Sequence, residues 1–188
     1  DETLPQQFMR YMSGLLQGDL GPSFRYRDYS VSELIGTGFP VSLKLGLLAM
    51  LLALMVGVSS GTIAALRQGS LLDRVVMSFA MTGISIPVFV VGPVLVLLFA
   101  VKLHWLPAGW SGADGVLKYV LPVITLALPQ IAYIARLTRA SMIDVLSRDF
   151  IRTARAQGLG TKAIIRFHAL KPAMLPVLAR SRHRRLPR

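Results

Sequence analysis

Val75-Val-Met-Ser-Phe-Ala-Met-Thr-Gly-Ile-Ser-Ile-Pro-Val-Phe-Val-Val-Gly-Pro-Val-Leu-Val-Leu-Leu-Phe-Ala-Val101 runs from end to end without a charged side chain. Roughly 20 apolar residues, rising about 1.5 Å each in a helix, cross the hydrocarbon core of a bilayer, and this run is longer than that. Upstream, Val41–Leu66 is also longer, with a single charge, Lys44, near its start. Downstream, Tyr119–Ala135 carries no charge but is shorter than a full crossing. Arg136 and Arg139 at the end of this third run can snorkel and lengthen it. The competing reading is a buried helix in a large soluble protein, and two runs longer than a full crossing speak against it.

Composition agrees. Hydrophobic residues make up 53% of the 188-residue chain and charged residues 16%, against about 25% charged in an average soluble domain. The net charge is +12, of which residues 136–188 carry +11 through 13 basic and 2 acidic side chains. Such basicity alone would suit a DNA-binding protein, but the hydrophobicity does not. There is no Cys, hence no disulfide framework, thiolate metal site or Cys nucleophile. The fold class expected is therefore all-α, a polytopic membrane helix bundle. The first residue is Asp1, which reads as a processed or truncated piece.

Orientation follows from Lys and Arg in the connections. Arg67–Arg74 holds two Arg and one Asp, and Arg136–Lys171 holds eight basic residues. Alternation places both on one side, expected to be cytoplasmic. Residues 1–40 and the His104–Val116 loop then face outward, with Trp105 and Trp110 near the interface. Pro87, Pro93, Pro122 and Pro129 lie at membrane depth, where a freed carbonyl needs neighbouring protein or cavity water. Gly57-x-x-x-Gly61 permits close helix approach, although such spacing is common in membrane helices. No ionisable residue lies mid-span, and no proton or ion relay is visible.

Outside the spans, residues 4–17 read as an amphipathic helix ended by Gly18. Ser30-x-x-Glu33 is a capping-box pattern for a short helix before the first span, and Pro40 fits that span's first turn. Beyond Arg136, Asp149 is a candidate cap for a helix Phe150–Gln157 with Gly158 as its C-terminal stop. Thr161 is a candidate cap for an amphipathic helix Lys162–Leu170 ahead of Lys171-Pro172. Two short helices about Gly158 make a compact elbow. A docking elbow and an interfacial helix held to anionic lipid are equally open on these grounds.

Phe150-Ile-Arg-Thr-Ala-Arg-Ala-Gln-Gly-Leu-Gly160, followed by His168-Ala-Leu-Lys-Pro-Ala-Met-Leu-Pro176, resembles the cytoplasmic "EAA" loop of binding-protein-dependent ABC importer permeases. The dipeptide/oligopeptide/nickel subfamily, in its oligopeptide permease B-like form, fits best. The resemblance extends through Gly18-Asp-Leu-Gly-Pro-Ser23, Ala64–Arg74, Ser85–Phe89, Trp105-Leu-Pro107 and Leu121–Leu128. The sequence departs from the family pattern at Gln157, Phe167 and Lys171-Pro172.

The resemblance implies a permease subunit of an ATP-driven importer for di- or oligopeptides or similar small solutes, in a bacterial inner membrane. It implies no catalytic residue, metal or cofactor in this chain; no phosphate-binding G-x-x-x-x-G-K-[ST] is present. ATP and Mg would belong to cytoplasmic ATPase subunits. The other implied partners are a second permease subunit, an external solute-binding protein and the bilayer; no nucleic acid is expected. The residues implied in ATPase coupling are Arg152, Thr153, Ala154, Arg155, Ala156, Gly158 and Leu159.

The domain reading is an external segment with short helices (1–39), transmembrane helices over 40–139 (about 41–66, 75–101 and 119–136), a coupling loop (140–172) and a truncated helix start with a basic tail (173–188). By comparison with the family this is a fragment with three spans and the start of a fourth, its end reading as a truncation or a change of frame. The 188-residue chain alone is accordingly expected not to transport. A non-functional fragment, or a membrane-anchored scaffold whose basic segment binds lipid or an acidic partner, are the alternative functions. His104, His168 and His183 lie far apart and have no metal-ligand spacing.

The orientation has a direct test in a chain without Cys. Cysteine placed at Ser111 is expected to react with an impermeant thiol reagent added from outside, and cysteine at Ser70 is not. The reverse pattern would overturn the orientation.

Overall fold

The computed structural model describes residues 3–26, 28–109 and 115–178. The chain divides into two units, Asp1–Leu47 and Leu48–Arg188. Trp110 and the basic tail from 179 onward lie outside the described residues.

In the first unit, α1 (Leu4–Leu16) opens with the Thr3 N–H donating to Gln6 Oε1 (3.0 Å). It closes at Gly18, with φ +80°. The Gly18 N–H donates to Leu15 O (3.1 Å) and the Asp19 N–H to Gly14 O (2.8 Å), the paired bonds of a Schellman stop. Ser32 ties the following loop down, accepting from the Leu20 N–H (3.0 Å) and donating to Gly18 O (2.9 Å). The second helix, α2, spans Val31–Leu66, 36 residues and about 54 Å. Ser30 Oγ accepts from the Glu33 N–H (3.1 Å) as the capping pattern requires. The separate short helix expected before the first span is instead the first part of α2, and Pro40 lies inside it. The carbonyl that would pair with an amide at Pro40 is that of Gly36.

In the second unit, the seam between α2 and α5 (Leu117–Leu146) organises the packing. Ala49, Ala53, Gly57, Gly61 and Ala65 recur every four residues on α2, and all are buried. A Cβ on Gly57 would lie 2.9 Å from Ile134 and 3.1 Å from the Ile131 carbonyl oxygen. A Cβ on Gly61 would overlap the Ala135 carbonyl oxygen and lie 2.9 Å from Thr138 Cβ. Here the small-residue spacing sets how near two backbones come.

Val75–Val101 is not one helix. α3 (Leu71–Ser85) and α4 (Val88–Leu95, continued as a π-helix over Val96–Lys102) are bent 104° at Ile86-Pro87. Ile86 is extended, with φ −87° and ψ 123°, because the residue before a proline is driven out of the α region. α3 packs on α5 with Gly83 near Ala132; a Cβ there would come within 3.3 Å. After the π-helix the chain turns at His104, with φ +55°. Trp105 then sits 6.0 Å from the Phe99 ring, centre to centre. The third expected span runs on as α5 to Leu146, unbroken by Pro122 or Pro129.

The seam predicts opposite effects for two glycines of one helix. Gly61→Ala should destabilise by about 1–3 kcal/mol through overpacking. Gly46→Ala, with open space around it, should be neutral or stabilising by up to about 1 kcal/mol. Thermal unfolding in detergent measures both.

Candidate functional site

The elbow is built on the end of α5. Ser147 ends that helix, and α6 (Asp149–Ala156) begins at once with Arg148 in the capping position. Asp149, expected as the cap, is instead the first helical residue. Its charge still favours the helix start, and Arg152 Nη1 lies 3.7 Å from its Oδ1. Arg148 Nη2 donates to Asp144 Oδ2 (2.8 Å), and that carboxylate raises the exposed guanidinium above its ordinary value.

The two faces of α6 differ. Ile151 and Ala154 point inward, 0% and 4% exposed, into a core with Ala65, Met142, Val145, Ile164, Ala169 and Ala173. Arg152, Thr153, Arg155, Ala156, Gly158 and Leu159 are exposed. Of the seven coupling residues read from the sequence, six therefore share the open side, and Ala154 is an anchor beneath them. Phe150, not among the seven, is also exposed. It also borders a cleft of about 330 Å³ with Asp144, Arg148, Pro172 and Leu175.

Gly158 closes α6. Its φ is +81°. Its N–H donates to Arg155 O (3.0 Å), and the Leu159 N–H donates to Ala154 O (3.2 Å), again a full Schellman stop. A Cβ at Gly158 meets nothing within 4 Å, so backbone conformation alone demands glycine, not lack of room.

The second arm differs from expectation at both ends. Gly160, not Thr161, is the cap of α7 (Thr161–Ala163). The helix then continues through a π-helical stretch, Ile164–Ala169, into α8 (Leu170–Leu178), so Pro172 does not stop it. Pairing from i to i+5 lets a carbonyl skip a residue without an N–H. The wider turn also brings Ile164 and Ala169 to the same buried face. Arg166 lies over the Phe167 ring at 5.5 Å, and Lys162, Arg166, Phe167 and Lys171 are exposed.

One turn of α5 above the elbow core lies an ion pair that the sequence did not reveal. Arg139 Nε donates to Asp73 Oδ1 (2.6 Å) and Nη2 to Oδ2 (2.7 Å). The Asp73 side chain is 4% exposed and that of Arg139 26%. Arg139, expected to snorkel, is thus held by a carboxylate. The nearest sequence signal was Ser70-x-x-Asp73, a helix-start pattern: Ser70 Oγ accepts from the Asp73 N–H (3.3 Å). Among the described residues no group of His, Asp and Glu could hold a metal ion.

Residues 57–183 match the family of binding-protein-dependent transport system inner membrane components. The chain is 55% identical over 181 residues to the oligopeptide transport system permease protein OppB of Salmonella typhimurium, covering 95% of this chain and 58% of that protein. It is 51% identical over 179 residues to OppB of Haemophilus influenzae, with the same coverage. It is 43% identical over 179 residues to the dipeptide transport system permease protein DppB of Bacillus subtilis, covering 95% of this chain and 57% of that one. The chain thus spans about 58% of the length of these curated relatives.

The two glycines of the elbow separate conformation from space. Both have open surroundings, but Gly160 has φ −67°. Gly158→Ala should weaken the turn by about 1–2 kcal/mol, speeding hydrogen exchange at the Leu159 amide, whereas Gly160→Ala should leave that rate unchanged.

Proposed function

This chain belongs to the family of binding-protein-dependent transport system inner membrane components, and on that premise we propose that it forms the transmembrane permease of an ATP-driven importer for di- or oligopeptides. The relatives' names, oligopeptide and dipeptide permeases, support that substrate class. The family and the apolar helices make the chain a multi-pass protein of the inner membrane.

One observation carries the coupling role: α6 is sealed by its stop at Gly158 and fixed by Ile151 and Ala154 to the base of α5, while Phe150, Arg152 and Arg155 stay open. Such a helix works as a short lever. In this reading cytoplasmic ATPase subunits, which bind ATP and Mg, grip its open face. Their closure pushes the base of α5, a rod of 30 residues. A second permease subunit completes the path, and an external solute-binding protein delivers the peptide. Transport then needs two helix packings of similar free energy, whose balance nucleotide shifts.

In this reading Phe150, at the cleft beside Arg148, is the anchor and Arg152 and Arg155 are the rim. An apolar ring seated in a partner's pocket contributes most of the affinity, and an exposed charge contributes little. Copurification of ATPase subunits with the complete permease tests this. Phe150→Ala should weaken retention about tenfold, Arg152→Ala and Arg155→Ala a few-fold each, and Gly158→Val should abolish ATP-driven peptide uptake in proteoliposomes. Retention and uptake unchanged in Phe150→Ala and Gly158→Val would overturn the coupling role. Binding of these segments to anionic vesicles in place of ATPase would favour the interfacial-helix alternative.

A further inference from the structure

The ion pair between Asp73 and Arg139 has a position that its charges alone do not explain. Asp73 joins three parts of the second unit. Its Oδ2 accepts from the Gly69 N–H (2.9 Å), fixing a turn in which Gly69 has φ +78° and the Ser70 N–H donates to Arg67 O (3.0 Å). Its own N–H is taken by Ser70 at the start of α3. Both carboxylate oxygens accept from Arg139 on α5. A planar guanidinium engaging two oxygens fixes direction as well as distance, unlike a point contact between charges.

The neighbours of Arg139 along α5 decide what the pair is attached to. Thr138 is fully buried against Gly61 of α2. Met142, one turn on, is fully buried in the elbow core, which also takes in Ala65 from the end of α2. α2 and α5 are therefore both gripped by the elbow core. No residue of α3 belongs to that core. The start of α3 is tied to α5 by Asp73, and its other end meets the 104° bend at Ile86-Pro87.

We propose that Asp73 and Arg139 are positioning residues that carry displacement of the elbow into α3, a helix that lies along α5 as far as Gly83 and is hinged at Ile86-Pro87. The proposal rests on the coupling role given above. A merely structural staple would set how much permease assembles. A joint sets how much peptide moves for each ATP consumed.

The complete importer in proteoliposomes separates the two. The double variant Asp73→Asn/Arg139→Gln removes both charges together and leaves no unpaired ion. It is expected to assemble with its ATPase subunits and hydrolyse ATP while peptide uptake per ATP falls roughly tenfold. Spin labels on cysteines at Leu71 and Ala140 should keep one narrow distance with and without ATP in the parent, and broaden in the double variant. An unchanged ratio of uptake to hydrolysis overturns the joint, including where both fall together with the amount of complex. If the double variant does not assemble, Arg139→Lys decides: it keeps the charge but loses the two-point contact, and an unchanged ratio again overturns the joint. Gly158→Val in the same assay keeps the two ideas apart, because normal coupling there removes the elbow role itself, whatever the ion pair does.

Discussion

In a bilayer, lipid tails solvate an apolar helix as well as another helix does, so two helices adhere only where their surfaces come unusually close. The seam from Ala49 to Ala65 meets that condition on α2, with glycine at two points where a Cβ would clash with α5. Each pair of atoms in contact contributes only about 0.1–0.2 kcal/mol, and a seam running from Ala49 to Ala65 gathers many of them. The close approach also has a cost. Thr62 and Thr138 carry buried hydroxyls without a hydrogen-bond partner. Because α5 continues directly into the elbow, whatever holds α5 to α2 also sets where the elbow stands relative to the end of α2.

Proline shows how much of this was legible. Pro40, Pro93, Pro122 and Pro129 all lie within helices, yet Pro87 separates two. The residues before the first four are Phe39, Gly92, Leu121 and Leu128; before Pro87 stands Ile86. A proline already disfavours the helical conformation of its predecessor, and a β-branched side chain adds its own restriction. Ile86 is the only β-branched residue preceding a proline in the chain. The signal for the break is present there, but run length and hydropathy do not contain it. Those two measures give the all-helical bundle that is found, and they make a bent helix straight.

The elbow was legible where local rules suffice. A glycine closing a short helix is a one-turn signal, so Gly158 could be placed from its neighbours alone. The π-helical stretch Ile164–Ala169 has no such mark, since its wider turn goes with burying Ile164 and Ala169 in one core. The pairing of Asp73 with Arg139 spans 66 positions. It follows only once α3 and α5 are known to be neighbours, and one sequence does not supply that adjacency.

Taken together, these features divide the second unit by stiffness. Close packing along the seam binds α2 to α5, and changing it would mean lifting backbones apart at Gly57 and Gly61. The elbow core holds the ends of both helices on one apolar cluster, so a push on α6 cannot be absorbed there by a small side-chain shift. Directional hydrogen bonds at Asp73 continue that stiffness into the start of α3. The bend at Ile86-Pro87 is different in kind: it lacks one amide donor, and its geometry is set by two backbone torsions rather than by a packed surface. In the proposed coupling role, a load entering at the elbow would meet a sequence of stiff joints and then a compliant one. Under that role, displacement is then concentrated between α3 and α4; Gly92 lies on the α4 side of that hinge, where a Cβ would come within 3.4 Å of Thr125 on α5.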